Sequence, residues 1–164
     1  MPRSKSTPIT SDNPVIAGPR ASADRLYRAA AECVRQRQRY GALVEAGASE
    51  EEQKAALQVA SLCDDLLQAS IDAYEKAPVN GPSKDEEWYR KAINVWQSSR
   101  DYERRHSASD ASTRRVGTAS ASGLKDLAME YDLEASALLA LQHTLSAYRK
   151  VSPDAHIEPA TRVG

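Results

Sequence analysis

The sequence predicts an all-α protein: an up-down-up-down antiparallel four-helix bundle with flexible N- and C-terminal tails. Three observations predict it. The chain has no Phe and only 5% aromatic residues, so Ala, Leu and Tyr must fill its core. Ala and Leu favour helices over strands. Four long stretches carry apolar residues in steps of three and four, the spacing of one helix face. The connectors between them are short, which makes consecutive helices antiparallel neighbours. At 164 residues one domain is expected, long enough to bury a core without staples.

Residues 1–21 read as a flexible arm. Pro2, Pro8, Pro14 and Pro19 recur among Ser, Thr, Asn and Gly and leave no room for a helix. Val15 and Ile16 are its apolar punctuation and offer an anchor for docking on a partner. The bundle then occupies residues 22–151. Its first helix, about 22–46, starts at Ser22 as N-cap with Asp24 in the first turn. The seam runs Leu26, Ala30, Cys33, Arg37, Tyr40, Val44, with one charged position, and Gly47 supplies the left-handed cap.

The second helix, about 50–76, opens on a capping box of Ser49 and Glu52. Its face takes Leu57, Ala60, Leu67, Ile71 and Tyr74, with Asp64 in the remaining seam slot, and Pro78 ends it. The third, about 84–116, opens on Ser83 and Glu86, a second capping box. Its seam reads Trp88, Ala92, Val95, Ser99, Tyr102, His106, Ser109, Thr113, Val116, although residues 107–113 are poor helix material. The fourth, about 122–150, places Leu124, Leu127, Tyr131, Leu138, Leu141, Leu145 and Tyr148 on one face, interrupted by Glu134. Pro153 stops it, and residues 152–164 read as a second loose tail.

Counting from the helix ends at 1.5 Å per residue brings Arg37, His106 and Glu134 to one level of the bundle, with Asp64 a turn or more farther along. These four form the expected polar layer across the core. A buried carboxylate needs a partner, and Arg37 and His106 are good ones for Glu134. Such a charge pair fixes helix register, as lone polar core residues do in coiled coils.

The rival reading is chemical. Glu103 and His106 stand at i, i+3, the spacing that carboxylate-bridged di-metal bundles use for inward ligands. Glu130 and Glu134 add carboxylates from the next helix, so Glu103, His106, Glu130 and Glu134 are the candidate ligands of a ferritin-like metal bundle, enzyme or ion store. Against it, such sites carry two copies of the motif, and helix one offers Arg37 where a ligand should stand.

Several classes are excluded or disfavoured. A net charge of −1 gives no basic excess for nucleic acid, despite the stripe Arg25, Arg28, Arg35, Arg39. Five Arg in residues 22–45 face seven acids in residues 50–76, which reads as charge complementarity between neighbouring helices. Cys33 and Cys63 form no CxxC or Cys/His pattern, so a finger-type zinc site is excluded and two buried thiols in a reducing compartment are expected. No apolar run is long enough to span a membrane, and the N-terminus lacks the apolar core of a secretory signal, so the expected location is cytoplasmic. No phosphate loop, nucleophile elbow or HExxH motif occurs, and no cofactor is expected. The reading that results is a non-enzymatic helical module acting through protein–protein contact, as a homo- or hetero-oligomer. Trp88 and Trp96 are its candidate interface anchors.

Overall fold

A computed structural model of the chain describes residues 6–77, 86–116 and 121–156, with side chains from Arg20 onward apart from a few positions around 112–122. It is all-helical. Four helices follow in order, α1 (Ser6–Glu45), α2 (Glu50–Lys76), α3 (Glu87–Val116) and α4 (Ala121–Val151), then one 3-10 turn at Pro153–His156. Among the described residues there is no strand.

The boundary of α2 matches the expected one, and its cap forms as the sequence implies. The backbone N–H of Glu52 donates to Ser49 Oγ at 3.2 Å, and Ser49 Oγ donates to Glu52 Oε1 at 3.1 Å. Gly47 takes φ +70° in the turn before it, a conformation glycine adopts without strain. The corresponding box at the start of α3 includes Ser83, which lies outside the described residues.

Two ends differ from expectation. α1 begins at Ser6 rather than Ser22, so most of the segment assigned to an arm is helical. Pro8 falls in the first turn, where a missing N–H is harmless, and Pro14 and Pro19 each delete one donor without stopping the helix. From Arg20 the helix is anchored by tertiary contacts. The Arg20 guanidinium donates to Val151 O and to Ser152 Oγ, both at 3.2 Å, and lies 5.4 Å over the Trp88 ring. The start of the C-terminal tail is also docked. Ala155 is fully buried, Arg28 donates to its carbonyl at 3.1 Å, and Asp24 accepts from Tyr148 Oη at 2.6 Å and from Ser152 Oγ at 3.1 Å.

α1 packs chiefly on α2 and α3 chiefly on α4, and the two hairpins meet along α1 and an α2–α3 edge. Contacts between helices show their senses. His106 meets Glu134 whereas Thr113 meets Tyr131, so α3 and α4 run antiparallel. Arg20 against Ser152 and Asp24 against Tyr148 give the same for α1 and α4. Residues 46–49 are too short a link for anything but an antiparallel α1–α2 return. These senses fit the expected up-down order.

The core lies in the half of the bundle away from that link. Leu26, Ala30, Cys33, Leu67, Ile71, Val95, Tyr102, Leu141, Leu145 and Tyr148 form it. Tyr27 and Tyr148 pack across it with ring centroids 5.6 Å apart and planes tilted by 34°. Nearer the link the expected seams stop being buried: Val44, Leu57, Leu124 and Tyr131 are exposed. Buried residues there are small or polar, among them Ala56, Ala60 and Ser109. Residues 107–113, weak helix material, stay helical because α4 holds them. Ser109 Oγ donates to Glu134, and Thr113 Oγ1 bonds Tyr131 Oη at 2.7 Å.

Candidate functional site

The expected polar residues do converge, in a different order from the one the level count implied. Arg37 Nη2 donates to Asp64 Oδ2, and Asp64 is its direct ionic partner rather than Glu134. His106 bridges to Glu134: its Nε2 lies 3.2 Å from both Arg37 Nη2 and Asp64 Oδ2, and its Nδ1 lies 2.9 Å from Glu134 Oε2. The chain Arg37/Asp64–His106–Glu134 thus joins all four helices. Asp64 is not a turn away, because Cβ atoms tilt toward each helix's N-terminus. On antiparallel α1 and α2 that tilt points Arg37 and Asp64 toward each other and closes the gap left by backbone levels. The layer also closes one end of the apolar core instead of crossing its middle.

Asp64 gathers two more groups that sequence reasoning took for apolar filling. Cys33 Sγ donates to Asp64 Oδ1 at 2.8 Å, and Tyr102 Oη approaches the same oxygen at 3.4 Å. Tyr102 also stacks on His106, with centroids 5.9 Å apart and rings 15° from parallel. The available signal was positional: Cys33 precedes Arg37 by one turn, and Tyr102 precedes His106 by one turn.

The electrostatics follow from this packing. Burial acts against the Glu134 carboxylate, but hydrogen bonds from His106 and Ser109 outweigh it and hold its pKa below the usual value. The hydrogen bond to Glu134 raises the pKa of His106, against an opposing effect of burial. Since a carboxylate accepts, His106 Nδ1 carries the proton toward Glu134. Nε2 then accepts from Arg37 when the ring is neutral and donates to Asp64 when it is charged. Burial, then the negative Asp64, push Glu103 up to about 7. Burial and Asp64 also push the Cys33 thiol well above its ordinary range, so without a bound cation it is a protonated donor to Asp64. Cys33 and Cys63 are both free and buried, as expected.

Of the four candidate ligands of the metal-bundle reading, His106 and Glu134 meet at 2.9 Å. Glu134 is held by His106 and Ser109, and Glu130 Oε2 is buried without a hydrogen-bond partner. The metal-compatible group among the described residues is instead Cys33, Asp64 and Glu103.

Trp88 and Trp96 are half-buried and already engaged within the chain. Trp88 Nε1 donates to Glu86. Trp96 Nε1 donates to Glu75 Oε2 at 2.9 Å, its ring lying beside Tyr74 and under Arg100. The side chains of Val15 and Ile16 lie outside those described. The basic stripe lines a groove of about 610 Å³ between α1, α2 and the C-terminal turn, where Arg25, Arg28 and Arg35 meet Leu66 and Arg149. Arg35 there is paired with Glu32, and Arg28 with Ala155 O.

The chain matches no family model, no curated protein and no solved structure. No described helix is long and apolar enough to cross a membrane.

Proposed function

We propose that this protein is a non-enzymatic helical module acting through protein–protein contact, with a second copy of the chain as the first partner to test. The observation that carries the reading is the outer side of α4. Ala137, Leu141, Leu145 and Tyr148 are buried on its inner side, yet Met129, Leu133 and Leu139 stand 57%, 40% and 57% exposed on other faces. Large apolar residues on more than one face of a helix normally meet a partner on more than one face, and among the described residues this chain covers only the inner one. α2 repeats the pattern, with Leu62 and Leu66 63% and 62% exposed in line with Val59. Paired exposed rows of this kind mark interaction surfaces more than scattered single residues do. The buried thiols suit a reducing compartment, and we place the protein in the cytoplasm.

The test is sedimentation or light scattering over a wide concentration range. The expected result is reversible self-association that Leu133→Glu with Leu139→Glu abolishes while the melting temperature stays within about 2 °C of wild type, as for exposed positions. A wild-type chain that stays monomeric at high concentration overturns the self-association.

A further inference from the structure

The group formed by Cys33, Asp64 and Glu103 has a composition that a register-fixing ion pair does not need. The Sγ of Cys33 and one carboxylate oxygen from each of Asp64 and Glu103 lie within 4.8 Å of one another. They come from α1, α2 and α3, one from each. Glu103 Oε2 is buried and has no hydrogen-bond partner, an arrangement that ordinarily costs stability. We propose that Cys33, Asp64 and Glu103 form a divalent cation site of the zinc type that clasps these three helices.

The donor set selects the cation class. A sulfur ligand disfavours Mg²⁺ and Ca²⁺, and a mixed sulfur and carboxylate set suits Zn²⁺. Asp64 can serve without losing its ion pair, because Arg37 holds Oδ2 while Oδ1 faces Cys33. The charges also balance. A thiolate and two carboxylates carry three negative charges, which a divalent cation and the adjacent Arg37 neutralise. The guanidinium that spoils a site built around His106 and Glu134 therefore completes this one. Ligand–ligand spacings around zinc are set by bonds of about 2.0–2.3 Å, so modest side-chain adjustments of the present cluster close it. A clasp here also has a mechanical consequence, because α1 and α2 belong to one hairpin and α3 to the other, and the hairpins meet less extensively than each packs internally. This site does not depend on the self-association proposed above.

The experiment titrates the chelator-treated full-length protein with Co²⁺ and follows its absorption. The expected result is saturation at about one equivalent with a thiolate-to-cobalt band in the near ultraviolet, which Zn²⁺ then bleaches. Cys33→Ser abolishes the band and Cys63→Ser leaves it. Glu103→Gln weakens Co²⁺ binding at least about tenfold, whereas Glu130→Gln leaves it unchanged. Saturating Zn²⁺ raises the melting temperature of wild type by about 5 °C. Far-ultraviolet circular dichroism checks that Cys33→Ser is folded, and if it is not, the Cys63→Ser and Glu103→Gln results decide. No thiolate band in wild type, a band lost in Cys63→Ser, or a Glu103→Gln affinity equal to wild type overturns the site.

Discussion

Asp64 is the residue on which the polar cluster turns. One of its oxygens takes Cys33 and Tyr102, and the other takes Arg37 and His106. Exposure ranks the members energetically: the Arg37 and Asp64 side chains are 13% and 7% exposed, against 19% for Glu134. Removing one partner of a buried pair leaves an uncompensated charge. Asp64→Ala is therefore expected to cost about 3–5 kcal/mol in urea unfolding, and Glu134→Gln about 1–2 kcal/mol. Equal losses would show that the cluster does not centre on Asp64. The pH dependence is carried in part by Glu103. Its folded pKa of about 7 exceeds the ordinary 4.5, so between those values the folded state keeps a proton that the unfolded chain releases. Stability is then lost as pH rises through that window. In buffer with chelator, Glu103→Gln should match wild type near the low end of this window and exceed it by about 1–3 kcal/mol above the high end. His106, raised by Glu134, adds a loss in the same direction, which Glu103→Gln leaves in place.

Local chemistry governs the elements where termini are concerned, and tertiary contact governs the rest. Ser49 and Glu52 start α2 at the residue that the capping pattern names. Gly47 has open space around it but φ +70°, so Gly47→Ala meets backbone strain and no clash. It should cost about 1 kcal/mol in thermal unfolding without altering helix content. α1 departs from its local signals. Its prolines marked the first 21 residues as non-helical, yet the helix starts at Ser6, and Ser22 is an interior position instead of a cap. Residues 107–113 belong to the same lesson, since Glu134 and Tyr131 on α4 supply the contacts that propensity lacks. For the Ser, Thr, Ala and Asp of that stretch propensity is worth tenths of a kcal/mol per residue, and a few anchored side chains exceed it.

At the scale of the molecule, two hairpins are joined by a few specific contacts. One junction is the polar cluster, and a second is Trp96 and Arg100 of α3 against Glu75 of α2. A third is the end of α4, where Arg20, Asp24 and Arg28 of α1 bind Ser152, Tyr148 and Ala155. Ala155 is fully buried in that junction. Ala155→Asp should lower stability by about 2–3 kcal/mol, with hydrogen exchange quickening first at the N-terminal half of α1 and the C-terminal end of α4. Uniform loss of protection would show that this end does not hold α1 to α4.

By itself the sequence determined the helical class, the four helices, the limits of α2, and that Arg37, Asp64, His106 and Glu134 meet between the helices. Each of these follows from periodicity and capping, which act over one or two turns. Tertiary structure decided which of those residues pair, because a side chain's reach and its tilt along the helix shift contacts by several ångströms from backbone levels. It decided the docking of residues 152–156, since contacts from Arg20, Asp24 and Arg28 on distant α1 hold them. It also brought Cys33 beside Asp64 and Glu103. Three helices meet there, and no spacing within one helix records that meeting.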